Sequence, residues 1–340
     1  MKLIKTEDAA GQVLCHDVTR IIKDVQKGPA FKKGHVITKE DIPVLLNMGK
    51  ENIYIWEINE DMLHENDAAL ILYGLCKSEN MHPSDISEGK IEIIADIDGL
   101  LKVDSAKLNA VNSLGEMMIA SRHGNFAVKK GEKIAGTRII PLVIEKEKME
   151  QAKEAALGGR IFKLLPFRKR RAGIVTTGSE VFYHRIEDTF TPVIKDKLSE
   201  FDVEIVGQEY SPDDPEVTIR GIESLIQRGA DMVICTGGMS VDPDDRTPLA
   251  IRSAADPDRV VTYGAPVLPG AMFMLAYRNE IPIMGLPGCV MFSKRTIFDL
   301  ILPRIMAGEI LKKEDFDILG EGGLCLNCEK CTFPNCGFGK

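Results

Sequence analysis

Glycines, hydroxyl groups and carboxylates are concentrated in three short segments of the C-terminal half. They are Thr176–Val181 (TTGSEV), Asp231–Pro248 (DMVICTGGMSVDPDDRTP) and Gly285–Ser293 (GLPGCVMFS). Adjacent glycines let a backbone approach a ligand closely and turn its N–H groups towards a phosphate. Carboxylates on the same loop would repel an anion unless a divalent cation lies between them, so the second segment predicts a phosphate with Mg²⁺. An acidic surface turn after a strand is an equally good interpretation of that segment taken alone.

The second segment contains three carboxylates, Asp242, Asp244 and Asp245. A carboxylate beside bound phosphates can hold Mg²⁺ or orient a metal oxyanion. Asp245 could also cap a helix that begins at Thr247-Pro248, because proline suits the first helical turn. Of Asp242 and Asp244, one could be only solvated.

Four cysteines with the spacing C-x2-C-x2-C-x4-C stand near the end of the sequence, at Cys325, Cys328, Cys331 and Cys336. Thiols this dense in a chain expected to be cytoplasmic indicate metal ligands rather than disulfides. The first three have the spacing of a [4Fe–4S] run, although the last interval is longer than usual, and a tetrahedral Zn²⁺ site is the alternative. Because the segment has few apolar residues, we expect metal ligation to supply its folding energy. A redox-sensitive tail without fixed structure is the third interpretation.

The elements that must position these residues alternate regularly from Arg171 to about Met306. The predicted strands are Ala172–Thr176, Val203–Val206, Met232–Cys235, Val260–Tyr263 and Ile281–Leu286, with helices between them. This alternation predicts a three-layer α/β/α domain around a mostly parallel sheet, in which Ala172–Thr176 and Met232–Cys235 are neighbours. Three of the strands end in glycine loops, and ligands of such sheets bind at the carboxyl ends of the strands.

The remaining chain predicts smaller mixed α+β structure. We place domains at residues 1–59 and 60–160, the α/β domain at 161–312 and a cysteine-rich tail at 313–340. A helix around Ile42–Leu46 should end at Gly49, before a strand from Ile53 to Trp56. A second helix covers Ala68–Leu75, and Ile91–Ala95 with Leu100–Val103 are predicted to form a hairpin that turns at Asp98-Gly99.

Composition limits the classes of function. The chain has 340 residues, 44% hydrophobic residues and a net charge of -8, which argues against general nucleic-acid binding. No apolar run approaches the length of a membrane span, and Glu7 and Asp8 follow Met1 too closely for a signal peptide, so we expect a cytoplasmic protein without a membrane partner. The other cysteines, Cys15, Cys76, Cys235 and Cys289, are expected to be buried small apolar residues.

The C-terminal half resembles the molybdopterin-binding domain shared by molybdopterin adenylyltransferase, molybdopterin molybdotransferase and gephyrin. The competence-damage-inducible proteins, which cleave ADP-ribose-like pyrophosphates, are part of that superfamily. The resemblance covers about Arg171 to Gly308 and rests on TTGSEV, the acidic pair Asp213-Asp214, TGGMSVDPDDRTP, VLPGAM at Val267–Met272 and GLPGCVMFS, in family order. Cys289-Val290 replaces the usual Asn-Pro, and the molybdotransferase signature Met-Asp-Gly-Tyr-Ala is absent, so the chain is similar to a divergent molybdotransferase.

The resemblance implies roles for individual residues. It makes Asp245 and Asp244 the candidates for catalysis and Asp242 with Asp245 the candidates for Mg²⁺ binding. The implied cofactor-binding residues are Thr177, Gly178, Ser179, Glu180, Thr236, Gly237, Gly238, Ser240, Pro287, Gly288 and Ser293.

The function implied is binding of molybdopterin, or of its adenylylated or metal-bearing form, in molybdenum-cofactor biosynthesis or delivery. If the protein is an enzyme, the step is nucleotidyl transfer or metal insertion by a Mg²⁺-dependent transferase. The alternatives are a pyrophosphatase acting on ADP-ribose-like nucleotides, indicated by Asp244-Asp245-x-Thr247, and a non-catalytic molybdopterin carrier or sensor. We also expect a homo-oligomer and, through the cysteine tail, a molybdoenzyme partner.

Overall fold

A computed structural model describes residues 2–22, 26–55 and 61–340. The chain divides into two units that interleave along the sequence. Unit 1 consists of Met1–Asp96, Val103–Arg122 and Gly131–Lys163, and unit 2 consists of Ile97–Lys102, His123–Lys130 and Leu164–Lys340. The finer division into four domains stays a prediction.

The described residues form short strands and helices along the whole chain. The strands are β1 (Lys2–Lys5), β2 (Val18–Ile22), β3 (Gln26–Phe31), β4 (Asn52–Ile55), β5 (Met62–His64), β6 (Met81–Pro83), β7 (Lys90–Ala95), β8 (Gly99–Val103), β9 (Met117–Ser121), β10 (Phe126–Val128), β11 (Lys133–Ile139), β12 (Val143–Glu145), β13 (Phe162–Pro166), β14 (Arg170–Thr177), β15 (Val203–Ser211), β16 (Met232–Thr236), β17 (Val260–Tyr263), β18 (Met274–Arg278) and β19 (Ile281–Leu286). The α-helices are α1 (Asp41–Asn47), α2 (Glu65–Cys76), α3 (Ser105–Asn112), α4 (Lys146–Ala155), α5 (Ser179–Phe182), α6 (Phe190–Leu198), α7 (Pro215–Gln227), α8 (Thr247–Ala254), α9 (Ile297–Met306) and α10 (Lys313–Asp317), and 3₁₀ turns cover Thr6–Asp8 and Gly288–Met291.

Unit 1 is built on small antiparallel sheets. The largest has the strand order β6–β7–β11–β9, and shorter pairs join β1 to β4, β2 to β3 and β5 to β12. The predicted helix of Ala68–Leu75 is confirmed by α2, whose buried face includes Ala68, Leu72 and Leu75. The predicted strand after Gly49 is confirmed as β4, while Trp56 lies outside the described residues.

The predicted hairpin of Ile91–Ala95 with Leu100–Val103 is wrong. β7 pairs with β6 and β11, whereas β8 pairs with β10 in a different sheet of order β10–β8–β13. The Asp98 carboxylate explains why the turn does not close. It accepts hydrogen bonds from the backbone N–H of Lys130 (2.8 Å) and from Nζ of Lys129 (3.0 Å), which draw it to a distant segment.

Unit 2 contains the predicted α/β domain. Its six-stranded sheet has the order β15–β14–β16–β19–β18–β17. β15, β14, β16 and β19 are parallel, and β18 and β17 form the edge beyond them, with antiparallel pairing of β18 to both β19 and β17. Ala172 is opposite Met232, so the predicted pairing of neighbouring parallel strands is confirmed. β18 was not predicted, because its apolar residues run on from the preceding loop.

Apolar residues cover both faces of this sheet, as the alternation of side chains along a strand requires. On one face Val175 and Val233 pack with Ile222 and Leu225 of α7 and with Ile251 of α8. On the other face the core includes residues of α6 and α9. The predicted three-layer α/β/α architecture is therefore confirmed.

The C-terminal tail folds against the second of these faces. Phe316 stacks on Phe273 with 5.9 Å between ring centroids, and Phe338 is only 3% exposed. The backbone N–H of Gly339 donates to the carbonyl of Gly322 (2.9 Å), which closes the tail into a loop. The expectation that the tail holds too few apolar residues to pack without a metal is wrong, because its phenylalanines share the core of unit 2.

None of the helices in the described ranges is both long and apolar enough to cross a membrane.

Candidate functional site

The carboxyl ends of three neighbouring parallel strands lie side by side. Thr176 of β14 is opposite Thr236 of β16, and Thr236 is opposite Leu286 of β19. The loops that follow these strands therefore leave the same edge of the sheet, where ligands of open α/β sheets bind.

A cavity of about 550 Å³ opens at this edge. Its walls come from three segments of the chain: Gly237–Ser240 with Asp245, Leu268–Met272, and Pro287–Cys289. The structure thus brings together six of the predicted site residues, which are Gly237, Gly238, Ser240, Asp245, Pro287 and Gly288. We call this space the loop cavity.

The Gly237-Gly238 turn can be made only by glycines. Both residues have positive φ, +84° and +55°, a region that other residues enter at a cost of about 1–2 kcal/mol. A Cβ on Gly237 would lie 2.3 Å from the carbonyl oxygen of Thr177, and one on Gly238 would lie 2.7 Å from Oγ1 of Thr247. The two glycines therefore allow the second loop to fold tightly against the first.

Among the described residues that line the loop cavity, Asp245 is the only charged one. Its Oδ2 accepts a hydrogen bond from the backbone N–H of Ser240 (3.1 Å), which folds the loop back on itself. Tyr263 donates its hydroxyl to the carbonyl of Met239 (3.0 Å), and burial together with the negative charge of Asp245 raises the pKa of Tyr263. Tyr263 was not predicted as part of the site.

In the first loop, which follows β14, polar groups are already hydrogen-bonded within the protein. Thr177 is buried, and its hydroxyl bonds to the carbonyl of Thr236 and to the hydroxyl of Thr247, both at 2.9 Å. The backbone N–H of Ser179 donates to Asp213 (2.9 Å), while Glu180 is exposed. Thr177, Gly178, Ser179, Glu180 and Thr236 do not line the loop cavity, and Ser293 lines a different one.

The acidic residues do not form a self-sufficient metal site. Asp242 and Asp244 do not line the loop cavity, and Asp242 is exposed. Within the ranges that the structure describes, no three His, Cys, Asp or Glu side chains are grouped so that they could hold a metal ion. Mg²⁺ binds proteins through carboxylate oxygens, and Asp245 alone does not fit a Mg²⁺ held by the protein.

Two features are absent from the predicted site residues. The segment Leu268–Met272 forms one wall of the loop cavity, and although the motif VLPGAM carried part of the family resemblance, none of its residues was assigned to the site. Gly270 has φ +136°, and a Cβ there would lie 2.5 Å from Cγ2 of Ile297. This close approach to α9 fixes the wall against the core.

The second missed feature is a polar cluster at the carboxyl end of β14. Asp188 accepts hydrogen bonds from Gln208 (2.7 Å) and from the backbone N–H of Thr191 (3.0 Å), and Thr176 contributes its hydroxyl. Burial alone would raise the pKa of Asp188, but the hydrogen bonds from Thr191 and Gln208 lower it below its usual range. Isolated polar residues carry no periodic pattern, so no sequence signal could have identified this cluster.

Cys289 and Val290 occupy the positions where the resembling family has Asn-Pro. Val290 is fully buried in the core, while Cys289 lines the loop cavity. Burial raises the pKa of the Cys289 thiol, which favours the neutral form. A neutral thiol is a weak nucleophile, so this cysteine is suited to contact a ligand rather than to attack it.

Comparison with protein families matches two parts of the chain. Residues 173–307, which contain all three walls of the loop cavity, match the model of the probable molybdopterin binding domain. Residues 3–57 match a domain of unknown function (DUF8806).

Curated relatives match a shorter stretch. A CinA-like protein of Mycobacterium avium (strain 104) is 36% identical over 77 residues, which are 23% of this chain and 18% of that protein. A CinA-like protein of Mycobacterium tuberculosis (strain ATCC 25618 / H37Rv) is 35% identical over 77 residues, with the same two shares. The match thus spans less than a fifth of the length of these relatives.

Solved structures were also compared. The molybdopterin biosynthesis enzyme MoaB of Thermus thermophilus aligns with a TM-score of 0.35 and 24% identity, over 42% of this chain and 99% of that chain. The tungsten cofactor synthesizing protein MoaB of Pyrococcus furiosus aligns with a TM-score of 0.34 and 21% identity, over 41% and 93%. CinA of Thermoplasma acidophilum aligns with a TM-score of 0.33 and 15% identity, over 41% and 98%.

Proposed function

We propose that the loop cavity binds molybdopterin, or its adenylylated or metal-bearing form, and that the protein serves molybdenum-cofactor biosynthesis or delivery. The proposal is supported by the match of residues 173–307 to the model of the probable molybdopterin binding domain. One observation carries this proposal. Three segments that are far apart in the family-matched sequence meet in one cavity at the carboxyl edge of the sheet.

The backbone of the cavity supports recognition of a phosphate-bearing ligand. Gly238, Met239, Gly270 and Ala271 line the cavity, and within the described chain their backbone N–H groups donate no hydrogen bond to another protein group. Unpaired N–H groups at the turns of a glycine loop are suited to phosphate oxygens. The hydrophobic residues Leu268, Met272 and Cys289 offer the apolar surface that a pterin ring would contact.

The side chains favour binding and positioning over covalent chemistry. Asp245 is held by Ser240 at the cavity wall, where it could orient a reacting group by charge. Cys289 is a neutral thiol, and no described serine or threonine that lines the cavity is paired with a base. Delivery of a bound cofactor needs no catalytic side chain beyond those that bind it. Nucleotidyl transfer or metal insertion would depend on how the loop cavity positions the reacting groups.

The experiment begins with the small molecule that co-purifies with the full-length protein. Molybdopterin is then titrated into ligand-free protein, and saturable binding at one equivalent per chain is the expected result. Separate incubations with molybdopterin plus ATP, and with ADP-ribose alone, test for turnover. Absence of molybdopterin binding, or hydrolysis of ADP-ribose alone, would overturn the proposal in favour of nucleotide chemistry.

We also propose that the protein is a homo-oligomer and that it contacts a molybdoenzyme that receives the cofactor. Size-exclusion chromatography with light scattering measures the oligomeric state. Co-elution with a purified molybdoenzyme tests the contact.

A further inference from the structure

The cysteine-rich tail is hydrogen-bonded directly to one wall of the loop cavity. The backbone N–H of Leu268 donates to the carbonyl of Gly323, and the N–H of Cys325 donates to the carbonyl of Leu268, both at 2.8 Å. Leu268 and Leu324 thereby form a parallel β-bridge. We call residues Gly323–Cys325 the tail bridge. Because Leu268 lines the loop cavity, the tail bridge holds one end of a cavity wall.

The tail also contacts the chain just beyond the other end of this wall. The wall ends at Met272, and the next residue, Phe273, stacks on Phe316 of the tail with 5.9 Å between ring centroids. Both phenylalanines are fully buried, and stacked aromatic pairs are among the strongest contacts of a core. The tail therefore packs on both sides of the wall.

The wall carries two of the amides that the proposed function assigns to the ligand. Within the described chain, the backbone N–H groups of Gly270 and Ala271 donate to no protein group. A hydrogen bond weakens steeply when the donor points away from its acceptor, so the direction of these amides decides how well they hold a phosphate. That direction depends on the backbone around them, and both backbone polar groups of Leu268 bond to the tail bridge.

Close packing fixes the tail bridge itself. A Cβ on Gly323 would lie 2.3 Å from the carbonyl oxygen of Pro266 and 2.4 Å from that of Leu319. Only a glycine lets the backbone approach two carbonyls this closely. Farther along the tail, Phe338 is buried in the core of unit 2. The wall is thus attached to a segment that is itself packed in place.

We propose that the tail bridge is a positioning element of the loop cavity. By holding Leu268 it directs the amides of Gly270 and Ala271 towards the ligand, and ligand binding in turn stabilises the tail bridge. The proposal rests on the proposed function, because it concerns the same cavity. The effect is reciprocal: the factor by which the tail bridge increases ligand affinity is the factor by which the ligand stabilises the bond to the wall.

Hydrogen exchange of the full-length wild-type protein measures this stabilisation. Saturating molybdopterin should slow exchange of the Cys325 amide at least about fivefold more than that of the Gly339 amide, since coupled sites affect each other by about fivefold or more. Cys325 does not line the loop cavity, so direct contact with the ligand does not explain such protection. The Gly339 amide bonds to Gly322 elsewhere in the tail and reports general stabilisation. Equal slowing of the two amides would overturn the proposal.

Two glycines of the tail provide matched variants. Gly323→Ala forces the tail bridge away from Pro266, so molybdopterin affinity in a titration should fall at least about fivefold. A Cβ on Gly320 would meet the Cβ of Pro266 at 3.8 Å, an ordinary contact, so Gly320→Ala should retain the wild-type affinity. Thermal unfolding shows whether each variant folds, and if Gly323→Ala does not fold, the exchange rates of the wild-type protein decide.

Failure of this proposal differs from failure of the proposed function. Absence of molybdopterin binding by the wild-type protein would overturn the proposed function, and the role of the tail bridge with it. Binding by the wild-type protein, with equal affinities in folded Gly323→Ala and Gly320→Ala, would overturn the role of the tail bridge alone.

Discussion

Substitution of Gly237 by alanine tests whether the tight turn of the second loop shapes the binding site. The new Cβ would lie 2.3 Å from the carbonyl oxygen of Thr177 and 2.9 Å from its Oγ1. Backbone atoms cannot rotate away as a flexible side chain can, so the loop itself must move. Gly237→Ala should therefore distort the loop cavity and destabilise unit 2.

The expected size of the effect combines two contributions. Placing alanine at φ +84° costs about 1–2 kcal/mol, and the forced shift of packed atoms adds about 1–3 kcal/mol. A loss of about 2–5 kcal/mol corresponds to a fall in Tm of about 5–20 °C for a unit of this size. The same substitution at Gly288 should leave Tm unchanged, because a Cβ there meets no atom within 4 Å.

Gly288 thus provides the matched control. Gly288→Ala adds a methyl group to the wall of the loop cavity without strain, so Tm should stay near the wild-type value while molybdopterin affinity falls. Gly136→Ala, in unit 1 and equally unobstructed, should change neither quantity. Calorimetry measures Tm, and titration measures affinity. A wild-type Tm for Gly237→Ala would refute the packing argument, and wild-type affinity for Gly288→Ala would remove the loop cavity as the binding site.

Two further predictions address single groups. Asp245→Ala removes the acceptor of the Ser240 N–H, so a titration should show molybdopterin affinity weakened about tenfold, by about 1–2 kcal/mol; Asp244→Ala, outside the loop cavity, is the control, and equal effects would contradict the role of Asp245. Burial raises the pKa of Glu65 from 4.5 to about 7, so its neutral form stabilises unit 1 at low pH and that contribution is lost as pH rises through about 7. Denaturant unfolding should show wild-type protein losing up to about 3 kcal/mol relative to Glu65→Gln between about pH 5 and pH 8, and parallel pH profiles would refute this.

The architecture of the α/β domain follows from the pattern of apolar runs and glycine turns in the amino-acid sequence. Apolar runs such as Met232–Cys235 are long enough to cross a buried sheet once, and each is followed by a glycine turn. Parallel pairing then follows because helices separate the strands, and parallel strands place their carboxyl ends at one edge. These are properties of local pattern and chain connectivity, so the amino-acid pattern alone could assign the three glycine loops to one edge of the sheet.

Local pattern could not decide which strands pair in unit 1 or where single side chains point. The segments Ile91–Ala95 and Leu100–Val103 look like a hairpin, yet hydrogen bonds to Asp98 from Lys129 and Lys130 carry the second strand into another sheet. Thr177 is suited to a ligand by type, but its hydroxyl is used by Thr236 and by Thr247, 70 positions away.

Contacts between distant parts of the chain determine which residues line the loop cavity and where the cysteine tail lies. The Leu268 backbone meets Gly323 and Cys325, more than 50 positions along the chain, and this contact brings the cysteine tail beside the loop cavity. Spacing identified the four cysteines as a group, but only the folded chain shows that all four line one cavity of about 530 Å³. Sequence spacing limits how far apart two residues can be, whereas their distance and direction depend on contacts with residues remote in the chain.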